Sequence, residues 1–215
     1  MTLFFDLDGP ILDVSDKYYR VYSDILREMK FVPLDKKEYW EAKKNKIPDS
    51  EILEKSSASH LILEYIDERK KRIETPDYIK LDKLQKNAEL VLNNLSQKND
   101  LILVTLRNSK TALEAELEHL NLNKYIKAVL SSSGETSNKW EVKKKLVTDY
   151  FQNNLPQNCW FIGDTETDIL TGKSLDCKTV AVANGIRSKE RLMKAEPDFI
   201  IDDIVDILDM IGIHK

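Results

Sequence analysis

The amino-acid sequence predicts an α/β fold: a doubly wound parallel sheet core with a small α-helical segment inserted after its first strand. Three observations predict it. An apolar run near the N-terminus ends abruptly in two carboxylates one residue apart, Asp6 and Asp8. Residues 35–78 then carry helical patterns only, and beyond Pro76 strand-like and helix-like segments alternate. Such alternation calls for parallel strands joined by crossover helices. The boundaries read as 1–14 and 79–215 for the core and 15–78 for the insert.

The elements follow in order. Thr2-Leu3-Phe4-Phe5 reads as a short buried strand, and Gly9-Pro10 behind the acids is strong turn punctuation. Ser15 is a candidate N-cap for a helix over about 16–30, with Tyr18, Tyr22, Ile25, Leu26 and Met29 on one face. Phe31-Val32-Pro33 stops that helix. The insert is broken at Ile47-Pro48-Asp49-Ser50 and again near Thr75-Pro76. A helix near 82–97 then precedes a strand at 100–105, and a helix near 110–120 precedes a strand at 128–130. Helices near 139–151 and 168–174 lead to strands at 159–162 and 178–182 respectively. A strand at 199–201 and a last helix through Met210 close the chain.

Composition narrows the function. A net charge of −4 leaves no basic footprint for a nucleic-acid polymer. No apolar stretch approaches the roughly 20 residues of a membrane span, and Asp6 and Asp8 interrupt the only early apolar run, which argues against a signal peptide. Cys159 and Cys177 fall in strand-like segments and read as buried thiols of a reducing cytosol. The expected location is cytoplasmic. The basic runs Lys43-Lys44-Asn45-Lys46 and Arg69-Lys70-Lys71-Arg72 read as solvated helix faces.

Chemistry-bearing residues cluster at the C-terminal ends of predicted strands, where open α/β sheets bind ligands. Asp6 and Asp8 follow the first strand. Thr105 ends the second core strand and is followed by Leu106-Arg107-Asn108-Ser109. Lys139 opens a helix after the loop Ser131-Ser132-Ser133-Gly134-Glu135. Gly163-Asp164-Thr165-Glu166-Thr167-Asp168 follows the strand at 159–162. Several carboxylates, one lysine and one hydroxyl suit Mg²⁺ and a phosphoryl group. Hard oxygens take the cation, and lysine and cation together screen a carboxylate so that it can attack.

With these motifs in order, Asp6-Leu7-Asp8-Gly9, Thr105, Lys139 and Gly163-Asp164 with Asp168, the chain resembles the haloacid dehalogenase-like superfamily over nearly its whole length. The tail Ala181-Val182-Ala183-Asn184-Gly185-Ile186-Arg187-Ser188 and Glu196-Pro197-Asp198-Phe199-Ile200 resembles the phosphoglycolate phosphatase-like branch, as does the insert, which matches that branch's small helical cap. The resemblance implies a Rossmann-like core and a Mg²⁺-dependent phosphatase of a small phosphate monoester: phosphoglycolate-like, a sugar phosphate or a nucleotide. It implies Asp6 as the nucleophile that forms an aspartyl-phosphate, and Asp8 as the acid and base. Asp6, Asp164 and the backbone carbonyl of Asp8 would hold the metal. Asp168 would add a ligand or pair with Lys139. Gly9, Thr105, Arg107, Asn108 and Lys139 would contact substrate. Related expectations are a phosphomutase on the same residues, a catalytically silent binding protein, and a monomer or homodimer. One departure is Pro10, where the family usually has Thr; proline removes an N–H and a hydroxyl from the loop around Asp6.

Overall fold

The computed structural model describes residues 1–132 and 138–212 and separates into two compact units. The first unit comprises Met1–Asp13 and Leu84–Lys215, the second Val14–Lys83.

The first unit is built on a six-stranded sheet. In chain order its strands are β1 (Thr2–Phe5), then, after the short β2 (Leu12–Asp13) and β3 (Lys83–Leu84) of a separate two-stranded sheet, β4 (Asp100–Thr105), β5 (Ala128–Ser131), β6 (Cys159–Gly163), β7 (Lys178–Val182) and β8 (Phe199–Ile201). Their spatial order is β5-β4-β1-β6-β7-β8, and every pairing is parallel. From β1 the chain builds outward through β4 and β5, then returns to the other side of β1 and builds outward again. The order therefore reverses at β1, and ligands of such sheets bind at that reversal, beyond the strands' C-terminal ends. All four residues of β1 are buried, as a central parallel strand covered on both faces requires. Phe4, Ile102, Val104, Val147 and Phe161 form one of its apolar clusters.

The helices of this unit are α6 (Ala88–Ser96), α7 (Lys110–His119), α8 (Lys139–Tyr150), α9 (Glu166–Ser174), α10 (Lys189–Met193) and α11 (Ile207–Met210). They follow five helices of the other unit, α1 (Ser15–Glu28), α2 (Lys36–Lys44), α3 (Asp49–Lys55), α4 (Ile62–Arg72) and α5 (Pro76–Ile79). Helix α9 starts two residues before its expected position because Thr165 and Asp168 form a capping box. Helix α6 starts at Ala88 rather than near 82, because residues 83–84 are strand and Asn87 is left-handed at φ 65°. Ser15 is the first residue of α1 rather than its cap.

The second unit is all helical apart from Lys83 and has its own core of Val21, Tyr22, Ile25, Leu26, Tyr39, Ile52, Leu53 and Tyr65. Tyr22 stacks on Tyr39 with ring centroids 4.4 Å apart. Its basic runs are paired locally: Arg72 with Glu28 and Glu68, Lys71 with Asp67 and Glu68, and Lys43 and Arg69 with Asp49. The unit reaches Lys83 rather than 78. The fully buried ion pair Lys17–Asp82, at 2.5 Å, ties the segment after α5 to α1.

The two cysteines are not thiols. Cys159 and Cys177 are joined as a disulfide, with Cα atoms 4.9 Å apart, inside the range a bridge requires. The register sets this proximity. Trp160 pairs with Lys178, so the residues one place earlier face each other across adjacent strands. Strand character was visible in the sequence; register was not.

Candidate active site

The β1 register places Phe5 beside Leu103 of β4 and Ile162 of β6. The residues just past these positions, Asp6, Thr105 and Asp164, consequently leave the same end of the sheet. Asp6 is buried, Thr105 is 1% exposed and Asp164 is wholly buried. Thr105 lies opposite Ser131 of β5. Residues 133–137, which include most of the loop expected before the lysine, lie outside the described residues.

The loop after β1 closes on itself without help from Pro10. Gly9 N–H donates to Leu12 O at 2.8 Å and Leu12 N–H donates to Leu7 O at 3.0 Å. Neither bond needs an N–H or a hydroxyl at position 10, so the proline fits where the family usually has threonine. Gly9 is demanded twice. Its φ is +111°, and a Cβ there would lie 2.1 Å from Asp164 Oδ2. Gly185, in the loop after β7, is as tight against the same carboxylate.

The lysine that reaches these acids is Lys143, not Lys139. Lys143 Nζ lies 2.8 Å from Asp6 Oδ1 and donates to Asp168 Oδ1 at 2.6 Å, with its side chain 3% exposed. Lys139 is exposed at the start of α8. The two are four residues apart and share a helix face, but only the later one is level with the ends of β1 and β6. A signal for it existed. Lys143 and Val147 are the buried residues of α8, so this lysine occupies an apolar-stripe position within the run Lys143-Lys144-Lys145.

Asp168 is committed to protein donors. Its Oδ1 accepts from Lys143, and its Oδ2 accepts from Thr165 N–H at 3.0 Å and Thr165 Oγ1 at 2.6 Å. It therefore seats the lysine and starts α9. Asp164 is placed differently. One of its oxygens accepts from Ile186 N–H, while Oδ1 is buried with no hydrogen-bond partner. Asp6, Asp164 and Asp168 each bring a carboxylate oxygen within 4.8 Å of the others.

The electrostatics follow from burial. Desolvation, with Asp168 and Asp8 adding to it against the pull of Lys143, pushes Asp6 up to about 7. Desolvation and the neighbouring Asp6 and Asp168 hold Asp164 well above the usual carboxylate range. Lys143 is held above its ordinary value: burial opposes its charge, but Asp168 and Asp6 outweigh it. Three buried carboxylates share one lysine, so burial and mutual repulsion favour their protonation unless a further positive charge enters the site. With the partnerless Asp164 Oδ1 and the glycine cradle around it, this donor set fits a hard divalent cation.

Arg107 is the other charged group the loops bring in. It is buried and grips Asp8 through both oxygens rather than standing free. Asn108, the next residue, is exposed.

Comparison with known proteins adds to this geometry. A family model described as haloacid dehalogenase-like hydrolase matches residues 3–182. A phosphoglycolate phosphatase of Salmonella typhimurium is 28% identical over 114 residues, 53% of this chain and 45% of that protein. In that alignment the chain spans about half the length of its curated relative. A Clostridium perfringens protein, provisionally named pyrophosphatase PpaX, is 26% identical over 213 residues, covering 98% of this chain and 96% of that one. Among solved structures, a haloacid dehalogenase-like family hydrolase from Streptococcus pneumoniae superposes with a TM-score of 0.77 at 20% identity, covering 98% of both chains. At that identity the likeness is one of fold.

Proposed function

We propose that this chain, which belongs to the haloacid dehalogenase-like hydrolases, is a Mg²⁺-dependent phosphatase of a small phosphate monoester, working through an aspartyl-phosphate on Asp6. The observation that carries this reading is the buried set at the sheet's reversal point: Asp6 against Lys143, beside an Asp164 whose Oδ1 has no protein partner.

Asp6 and Asp164, with the backbone carbonyl of Asp8, are the residues that would hold the cation. When bound, Mg²⁺ supplies positive charge that lets a carboxylate approach an anionic phosphoryl group. Lys143, with Nζ 2.8 Å from Asp6 Oδ1, contributes to the same neutralisation. A carboxylate oxygen of Asp6 attacks phosphorus, and the bond from phosphorus to the ester oxygen breaks. Asp8 gives its proton to that departing oxygen. Water then attacks the acyl phosphate, its proton passing to Asp8, and inorganic phosphate leaves with the Asp6 carboxylate restored. Asp168 acts through Lys143. Thr105, buried at the end of β4, contributes a hydroxyl to the phosphoryl oxygens. The substrates proposed are phosphoglycolate-like esters, sugar phosphates and nucleotides; the name of the phosphoglycolate phosphatase points the same way, while that of the pyrophosphatase points to a phosphoanhydride.

Phosphate release from p-nitrophenyl phosphate, with Mg²⁺ and with chelator, tests the reading, followed by a panel of phosphorylated metabolites. The expected result is Mg²⁺-dependent release that the chelator abolishes. Release from no ester in the panel would overturn it. An isomer of the substrate in place of free phosphate would make the protein a mutase.

A further inference from the structure

Arg107 donates from Nε to Asp8 Oδ2 at 2.8 Å and from Nη2 to Asp8 Oδ1 at 2.6 Å, a two-pronged pair with both oxygens engaged. Behind it, Nη1 lies 3.5 Å from Oε2 of Glu116 on α7. Arg107 and Glu116 are each 5% exposed. The sequence reading makes Arg107 a contact for substrate. The charge balance opposes this: one guanidinium already faces two carboxylates, so it has no uncompensated charge to offer an anion. What its planar fork does supply is orientation, because a bidentate arginine–carboxylate pair fixes both the direction and the plane of the carboxyl.

We propose that Arg107 is a positioning residue for Asp8, and that Glu116 holds Arg107 in turn. The proposal rests on the phosphatase reading above. Asp8 follows Asp6 by two residues on a loop, and both of its carboxyl oxygens accept from the one guanidinium. The Nε–Oδ2 contact keeps the carboxyl in plane while Oδ1, released from Nη2, takes up a proton from solvent and gives it to the departing oxygen. Glu116 steadies the guanidinium from behind when the Nη2 contact gives way.

The test is the dependence of kcat/KM on the leaving group. This parameter reports the steps up to departure of the leaving group, so it senses proton donation there. An aryl ester such as p-nitrophenyl phosphate departs without needing a proton, whereas an alkyl phosphate needs one. In Arg107→Gln, kcat/KM for an alkyl phosphate is expected to fall about a hundredfold, and that for the aryl ester by less than about fivefold. Glu116→Gln, which keeps the shape of α7, is expected to move the ratio the same way by about tenfold. It serves as the readout if the arginine variant does not fold. Equal losses on both esters would overturn the proposal, because a purely structural residue or a substrate contact lowers both alike. The Arg107 Nε–H NMR signal tests the clamp whatever the chain hydrolyses. A slowly exchanging, resolved signal that moves in Asp8→Asn supports it. A signal averaged with those of exposed arginines would overturn it. Phosphate release from neither ester by the wild type would count against the phosphatase reading, and the NMR result would then decide the clamp alone.

Discussion

Lys143 is the residue on which the site's charge balance turns. It is the positive group against Asp6 and Asp168, so Lys143→Ala leaves buried carboxylates facing one another. Breaking a buried ion pair from one side costs about 3–5 kcal/mol. The expected outcome is a thermal midpoint lowered by many degrees and phosphate release reduced at least about a hundredfold. Lys139→Ala, at an exposed position, is expected to stay within about 0.5 kcal/mol and to keep its activity; chemical denaturation and a phosphate-release assay check both. Asp164→Asn has an opposite signature. Without divalent cation it is expected to be at least as stable as the wild type at neutral pH and above, because an amide needs no protonation to sit in this desolvated position, yet Mg²⁺ should no longer raise its midpoint. Asp6 and Asp164 were legible because each stands directly after a strand whose apolar run is plain in the sequence, and Asp8 and Asp168 follow them within four residues. The lysine was not, since four residues along a helix separate two candidates on one face, and only the depth of α8 against the sheet chooses between them. Arg107 was visible as a residue near the phosphate, but its engagement with Asp8 depends on side-chain packing that no spacing encodes.

At the scale of elements, α9 carries Asp168 and must pack closely on the sheet. Gly172 allows that. A Cβ there would come within 2.6 Å of Thr179 Cγ2 and 2.8 Å of Phe161 Cβ. Gly172→Ala favours the helix by up to about 1 kcal/mol on propensity alone. Overpacking costs about 1–3 kcal/mol and displaces the helix, so the substitution is expected to destabilise, as measured by urea denaturation, and to weaken activity by tilting Asp168. The strands of the main sheet were readable almost to the residue, because buried parallel strands are short continuous apolar runs bounded by turns. Their register was not. The disulfide between Cys159 and Cys177 is a consequence of register, and two cysteines 18 residues apart say nothing of it in the sequence. The two-residue strand at 83–84 was hidden for a different reason: two residues cannot show an alternation.

For the whole molecule, the buried acids couple stability to pH and to cation. Asp6 sits near 7 in the folded protein against 3.8 for the unconstrained group. A raised carboxylate favours the folded state fully below its unfolded value, and that contribution is lost as pH rises through the folded value. The metal-free protein is therefore expected to lose stability between about pH 4 and 7. A ligand that binds only the folded state adds about 2.7 kcal/mol at a hundred times its dissociation constant, and on the proposed reading Mg²⁺ binds that state. Its effect on the thermal midpoint is expected to be larger at pH 8 than at pH 5.5, and a cation effect independent of pH would contradict this balance. The central claim, that Asp6 carries the phosphoryl group, has a more direct test. Asp8→Asn should still form the acyl phosphate from p-nitrophenyl phosphate, whose leaving group needs no proton, but should hydrolyse it slowly. Borohydride quenching during that reaction, followed by peptide mass spectrometry, is predicted to find homoserine at position 6 and nowhere else. Nitrophenol release with residue 6 unconverted, or conversion at a different carboxylate, would contradict the account.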